Sequence, residues 1–246
     1  MLGTIDLTAF STVHERDCAR ALTLVGRGQA HSRAEIGRAL ELRSTSTSRV
    51  VADLVKRRFL IETVAETSGR GRPAGGLVFN PQRVGCSVIQ IASQSLAGSL
   101  IDLAGTTLSQ KVVAVGRDAD NAALSRELAD LAAALVADMP RGMVHAGTAV
   151  SLSGLLDLPR RQWLMASRWP RMRSLPIEEV LRDVAGPVEI CRNLDADLRA
   201  RAVREPEYFG TGPLLLLHWG WGIGLAYGID GRPFTSGGGS FGEIGH

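Results

Sequence analysis

Two spacings of apolar residues divide the chain near Val84. Before it, Ile36, Ala39 and Leu40, then Val50, Val51, Leu54 and Val55, recur every three to four positions, the repeat of helices with one buried face. Ser32 followed by Glu35 has the form of a capping box, in which hydroxyl and carboxylate each satisfy an amide left open at a helix start. The first helix is therefore expected to start at Ser32 and end near Glu41 to Arg43. The cluster Ser44 to Ser48 offers the N-cap of a second. Leu60 to Val64 and Leu77 to Phe79 are short apolar arms around Gly69-Arg70-Gly71-Arg72-Pro73, a pattern that predicts a hairpin with a basic tip.

After Val84 the apolar runs shorten and alternate with glycine or polar turns. "VGCSVIQIAS", "AGSLIDLAG" and "QKVVAVG" read as a three-strand meander, followed by a helix over 121–138 that carries Leu124, Leu128, Leu131 and Leu135 on one face. "GMVHAGTAVSLSG" reads as a strand, Ile177 to Val184 as a helix, "PVEIC" as a strand and Asp195 to Glu205 as a helix. "GPLLLLHWGWGIGLAYGIDGRPF" closes the chain as two strands joined by a glycine-rich bend. Three strands followed by alternating helices and strands is an α/β order. The expected domains are 1–82 and 83–246.

The 246 residues carry a net charge of +3, unevenly spread: residues 1–82 hold 12 Lys/Arg against 8 Asp/Glu, and the remainder 16 against 17. A basic head on a near-neutral body suits a polyanionic partner. No apolar run reaches the roughly 18 residues of a membrane helix, and the N-terminus lacks the basic-then-apolar form of a secretory signal. Cys18, Cys86 and Cys191 are scattered, with neither disulfide-framework nor metal-ligand spacing, so a cytoplasmic location is expected and no cofactor.

Two short helices, a tight turn and a basic hairpin together predict a winged helix-turn-helix that binds double-stranded DNA. Ser44, Thr45, Ser46, Thr47 and Arg49 would enter the major groove from the start of the second helix, and Arg70 and Arg72 would meet the minor groove or backbone. A small helical protein-interaction domain with an arginine-bearing loop is the alternative.

The order of basic winged helix, "RGRP" wing, meander, "GWGIG" and "GIG…IDGRPF…G…FGEIGH" over residues 222–246 resembles the ROK family, which joins repressors, open reading frames and sugar kinases on an actin-like ATPase (ribonuclease H-like) fold. The resemblance spans nearly the whole chain. It implies that Glu243 contacts a sugar hydroxyl and that His246 coordinates a zinc whose other ligands are cysteines in a following segment. No such segment follows here, so the chain is expected to stop within an incomplete second lobe, with His246 a metal ligand only if a zinc segment follows. The kinases of the family have an Asp-x-Gly-Gly-Thr-like phosphate loop, whereas "VGCSVIQIASQS" lacks that acid and glycine pair. The family's base is the aspartate of an Asn-Asp pair. Here "CRNLDADL" makes Asp195 the candidate, with Leu194 in the aspartate's place under another alignment, and Ser167 stands near the position of a sugar-contacting asparagine. The resemblance thus implies a DNA-binding regulator, expected to be a homodimeric, sugar- or sugar-phosphate-responsive repressor without catalysis, with Asp195, Glu243 and His246 facing the sugar. The alternative is an ATP-dependent sugar kinase with Asp195 as base.

Single residues carry bland readings beside these. Asp195 is a general base or a helix N-cap, and Glu243 a sugar contact or a solvated residue. Gly220 to Gly224 lies against a phosphate or forms a bend between strands. Trp163 and Trp169, among Arg160, Arg161, Arg168 and Arg171, stack on single-stranded nucleic acid or anchor a solvated loop.

Overall fold

The computed structural model describes residues 12–63, 76–92, 94–220, 222–235 and 241–244. The chain separates into two compact units, Met1–Val84 and Gly85–His246.

The first unit has three helices, α1 (Val13–Gly26), α2 (Arg33–Leu40) and α3 (Ser44–Lys56), and an antiparallel ribbon of β1 (Leu60–Thr63) and β2 (Gly76–Phe79). Helix α1 is absent from the periodicity reading, which starts at Ser32. Its signal is Thr12 with Glu15, a complete capping box: Thr12 Oγ1 accepts from Glu15 N at 3.1 Å and Glu15 Oε2 accepts from Thr12 N at 3.0 Å. The box expected at Ser32 forms by half. Ser32 Oγ accepts from Glu35 N, but the Glu35 carboxylate takes the amide of His31, one residue earlier. Glu41, at φ 55°, ends α2 in the left-handed region, and Leu42 and Arg43 lead straight into α3. The N-cap of α3 is Arg43, without a side-chain cap, so the Ser44–Ser48 cluster forms the first turns of the helix and does not precede it.

Ile36, Leu40, Val50, Val51, Leu54, Leu60 and Leu77 fill the core of this unit with Cys18, Ala21 and Val25 of α1. A Cβ on Gly37 would lie 2.9 Å from Thr47 Oγ1, so glycine is what allows α2 and α3 to cross this closely. Arg33 Nη2 binds Glu62 Oε1 at 2.6 Å and links the first turn of α2 to the ribbon.

The second unit is built on a five-stranded sheet in the order β10-β6-β3-β4-β5, from β3 (Val84–Ala92), β4 (Ser95–Asp102), β5 (Thr107–Ala114), β6 (Val144–Leu152) and β10 (Val188–Arg192). The first three form the expected antiparallel meander, and β10 pairs parallel to β6. Helix α4 (Asn121–Ala137), capped by Asp120, buries Leu124, Leu128, Leu131 and Leu135, as its spacing predicts. A Cβ on Gly98 of β4 would meet Leu135 Cδ1 at 2.8 Å, so this glycine admits α4 onto the sheet. Helix α5 (Ile177–Ala185) packs on α4 and β10, and α6 (Asn193–Arg204) follows β10 without a loop.

Residues 155–176 form a small antiparallel sheet of β7 (Leu155–Asp157), β8 (Gln162–Met165) and β9 (Leu175–Pro176). Trp163 and Trp169 are fully buried there, edge to face at 5.6 Å, with Trp163 Nε1 donating to Ser153 O. Rings so placed anchor the segment and cannot stack on bases. After α7 (Pro206–Phe209), β11 (Pro213–Trp219), β12 (Ile223–Ile229) and β13 (Arg232–Pro233) make a third antiparallel sheet, which α6 contacts. Among the described residues no helix is long and apolar enough to cross a membrane.

Candidate functional site

The end of β10 and the start of α6 place Arg192, Asn193 and Asp195 within one helical turn, because the strand passes into the helix directly. Arg192 is the N-cap residue and Asp195 lies within the first turn, so Asp195 is not the cap that its sequence context suggested. Both are buried, at 4% and 2% exposure. Burying ions removes hydration worth several kcal/mol each, and this pair offsets that cost only in part, with Arg192 Nη1 3.8 Å from Asp195 Oδ1.

The "GEIGH" segment supplies the rest. Arg192 Nη1 donates to Phe241 O, and Nη2 donates to Leu225 O at 3.2 Å and contacts Glu243 Oε1 at 3.4 Å. Leu225 N donates to Gly242 O at 2.9 Å. Gly242 has φ 89°, and a Cβ there would clash with Leu225 O and the Arg192 guanidinium, so only glycine brings this segment against β12. Two carboxylates singled out in the sequence, Asp195 and Glu243, thus meet through Arg192, which sequence reasoning missed. An arginine between a cysteine and an asparagine carries no motif signal; its role depends on a segment about 50 residues further along the chain.

Three buried polar atoms here have no hydrogen-bond partner among the described residues: Arg192 Nε, Asn193 Oδ1 and Asp195 Oδ1. Asn193 Nδ2 donates to Ile91 O at 3.1 Å, which fixes the amide. Burial foremost, and the nearby Glu243 carboxylate, push the Asp195 carboxyl above the usual carboxylate range, against Arg192 and Arg199, which pull it down. Orphaned polar atoms in a buried cluster are costly unless a polar group meets them, and a polyhydroxyl ligand has that chemistry. In this arrangement Asp195 is enclosed and lies beside the Arg192 guanidinium.

Where the kinases would have their phosphate loop, Ala92 and Ser95 are already paired across the β3–β4 connection, and Ser95 Oγ donates to Ala92 O. On the first unit, Ser44, Thr45, Ser46 and Arg49 are exposed on α3. Arg49 forms no ion pair among the described residues. Thr47 corrects the sequence expectation: it is 4% exposed, bonded back to Arg43 O at 3.2 Å and packed on Gly37, hence part of the helix crossing and not of any contact surface. Arg70, Arg72 and His246 lie outside the described residues.

No family model and no curated protein matches the sequence. Solved structures do match, and those named here are ROK proteins. A ROK family transcriptional regulator, a homolog of the E. coli MLC protein, aligns with 21% identity and a TM-score of 0.74 over 95% of this chain. A ROK hexokinase from Thermus thermophilus aligns over 66% with 22% identity and a TM-score of 0.51. A ROK family glucokinase from Streptomyces griseus, solved with glucose and AMPPNP, aligns over 66% with 22% and 0.52. The chain spans 59% of the length of the regulator structure, 53% of the hexokinase and 50% of the glucokinase. The α/β fold is that of ROK proteins, with the sugar-kinase-like, actin-like body.

Proposed function

We propose that this chain is a transcriptional regulator of the ROK family, in which a winged helix-turn-helix reads duplex DNA and a non-catalytic body senses a sugar. One observation carries the reading: the likeness to a ROK regulator extends over 95% of the chain, whereas the kinase likeness stops at about two thirds, the share that the second unit occupies. The head has the matching chemistry. Helices α2 and α3 cross closely at Gly37, and α3 presents Ser44, Thr45, Ser46 and Arg49 at its exposed start, small hydrogen-bonding side chains with one cation, suited to base edges in a major groove. The wing arginines Arg70 and Arg72 would add contacts to the backbone or minor groove.

In the body, Arg192, Asn193, Asp195 and Glu243 form the effector site. A sugar that meets the orphaned atoms would replace the contacts between Arg192 and the segment at Phe241 to Glu243, so that binding and the position of this segment are linked. A repressor working this way releases DNA when the sugar favours the arrangement with lower DNA affinity. A two-fold dimer on paired half-sites, acting in the cytoplasm where the DNA is, fits the motif class.

The test starts with a duplex selected from random sequence by the purified protein. Arg49→Ala is expected to cost about 1 to 3 kcal/mol on that duplex and to lose less on random DNA, in anisotropy titrations at two salt concentrations. Glucose and N-acetylglucosamine are then titrated into the complex, and any release is expected to disappear in Glu243→Ala. Equal loss on specific and random duplex would remove Arg49 from base reading. ATP-dependent phosphorylation of a hexose, abolished by Asp195→Asn, would overturn the regulator reading in favour of the kinase.

A further inference from the structure

Away from the effector site, three side chains of the first unit converge without any role in the DNA reading. His14 and Cys18, four residues apart, lie on one face of α1, and Asp53 reaches them from α3. His14 Nε2 is 3.3 Å from Asp53 Oδ2 and 3.6 Å from Cys18 Sγ, and Cys18 Sγ is 3.8 Å from the same Asp53 Oδ2.

The 3.3 and 3.6 Å separations are those of one face of a tetrahedron, and the 3.8 Å one from Cys18 Sγ to Asp53 Oδ2 is slightly longer. An ion with a metal–sulfur distance of about 2.3 Å and metal–nitrogen and metal–oxygen distances of about 2.0 to 2.2 Å sets its ligand atoms about 3.3 to 3.6 Å apart. A hydrogen-bonded relay has a different geometry: the imidazole of a Cys-His-Asp chain uses one ring nitrogen toward sulfur and the other toward the carboxylate. Here the single atom Nε2 faces both partners, and the single atom Oδ2 faces both of its own, so all three groups point at one place.

We propose that His14, Cys18 and Asp53 form a binding site for a divalent ion of the zinc type, with water in the fourth position, that ties α1 to α3. Nitrogen, sulfur and oxygen donors in this set suit Zn²⁺ and its substitute Co²⁺ rather than Mg²⁺ or Ca²⁺, which take oxygen alone. The side chains of His14 and Asp53 are about one third exposed, which leaves the ion a way in. The other charges near the site are the Arg57 guanidinium, 3.7 Å from Asp53 Oδ2, and Asp17, paired with Arg20 at 3.6 Å. Arg57 is half exposed and lies over the Phe59 ring at 5.2 Å, so it can yield Asp53 to the ion without losing its own packing. The sequence spacing of the cysteines does not reveal this cluster, because Asp53 lies 35 residues from Cys18 on another helix.

The inference does not rest on the DNA-binding reading, and its test uses no DNA. The metal-free, reduced full chain is titrated with Co²⁺ and then Zn²⁺. One Co²⁺ per chain is expected, with a thiolate-to-cobalt charge-transfer band that Zn²⁺ removes. Cys18→Ser is expected to lose that band. His14→Ala, at a part-exposed position, is expected to keep the circular dichroism of the parent and to bind Zn²⁺ at least about 100-fold more weakly, since loss of outer-shell partners alone costs about 10- to 100-fold. The proposal is overturned if the parent gives no charge-transfer band. It is also overturned if the band survives in Cys18→Ser, which would assign it to Cys86 or Cys191, or if His14→Ala binds Zn²⁺ as the parent does.

Discussion

Helix α3 of the head and the Arg192 cluster of the body solve opposite problems with polar side chains. On α3 the chain keeps Ser44, Thr45, Ser46 and Arg49 exposed above a largely apolar core, so removing one of them is expected to leave the fold as it was. Around Arg192 it buries a guanidinium and a carboxylate together, and the backbone carbonyls of Leu225 and Phe241 accept from the guanidinium. A surface side chain can be read by a partner at little cost, whereas a buried charge is tied to the stability of everything that touches it. The same residue type therefore carries different information: Arg49 is an exposed side chain free to meet a partner, Arg192 a structural hub.

The sharpest test of that contrast is truncation of the two arginines. Arg192→Ala leaves Asp195 buried without its cation and is expected to lower unfolding stability by about 3 to 5 kcal/mol, with part of the loss recovered when Asp195→Asn removes the orphaned charge. Arg49→Ala is expected to change stability by less than about 0.5 kcal/mol. Urea denaturation of both variants decides it: similar losses would mean that the two regions do not differ in this way.

Next in size is the crossing of α2 and α3. Gly37→Ala pushes a methyl group into Thr47 and is expected to cost about 1 to 3 kcal/mol, and Thr47→Ala in the same chain is expected to restore most of it. If Thr47 were a DNA contact, Thr47→Ala alone would weaken binding with stability unchanged. The structure predicts a small stability loss and no change in sequence preference.

The body should also respond to pH through Asp195. Its raised value means that the native state holds this proton at a pH where the unfolded chain has released it. This group's contribution is therefore full at acid pH, below the ordinary carboxylate value, and is lost as pH rises through the raised native value, at no more than about 1.4 kcal/mol per pH unit. Glu35, Asp120 and Asp138, held below their ordinary values by hydrogen bonds, push the other way, so the difference between parent and Asp195→Asn isolates the effect. Denaturation between about pH 4 and 7 should give a parent-minus-variant stability that falls with rising pH. A flat difference would mean that Asp195 is not shifted.

The smallest effect is the cap of α2. Ser32→Ala is expected to cost about 0.5 to 2 kcal/mol, and by a chemical route independent of Thr47, so the two losses should add.

Much of this architecture follows from local rules that the sequence carries by itself. The leucines at 124, 128, 131 and 135 determined α4, alternation and glycine punctuation determined the meander, and the Ser32 signal placed α2, because helix and strand periods depend on which face is buried and not on what buries it. The residues of α1 were equally legible in Thr12 and Glu15, but a capping box weighs little without a strong apolar stripe behind it. Tertiary structure alone decided the rest. Thr47 turns inward because a glycine on the neighbouring helix makes room for it. Asp195 lies inside the first turn of α6 because β10 runs into the helix without a loop. Arg192 acquires its role from a segment about 50 residues away, and His14, Cys18 and Asp53 come together from two helices. Each of these depends on a contact between residues far apart in sequence, and no spacing within a single element encodes such a contact.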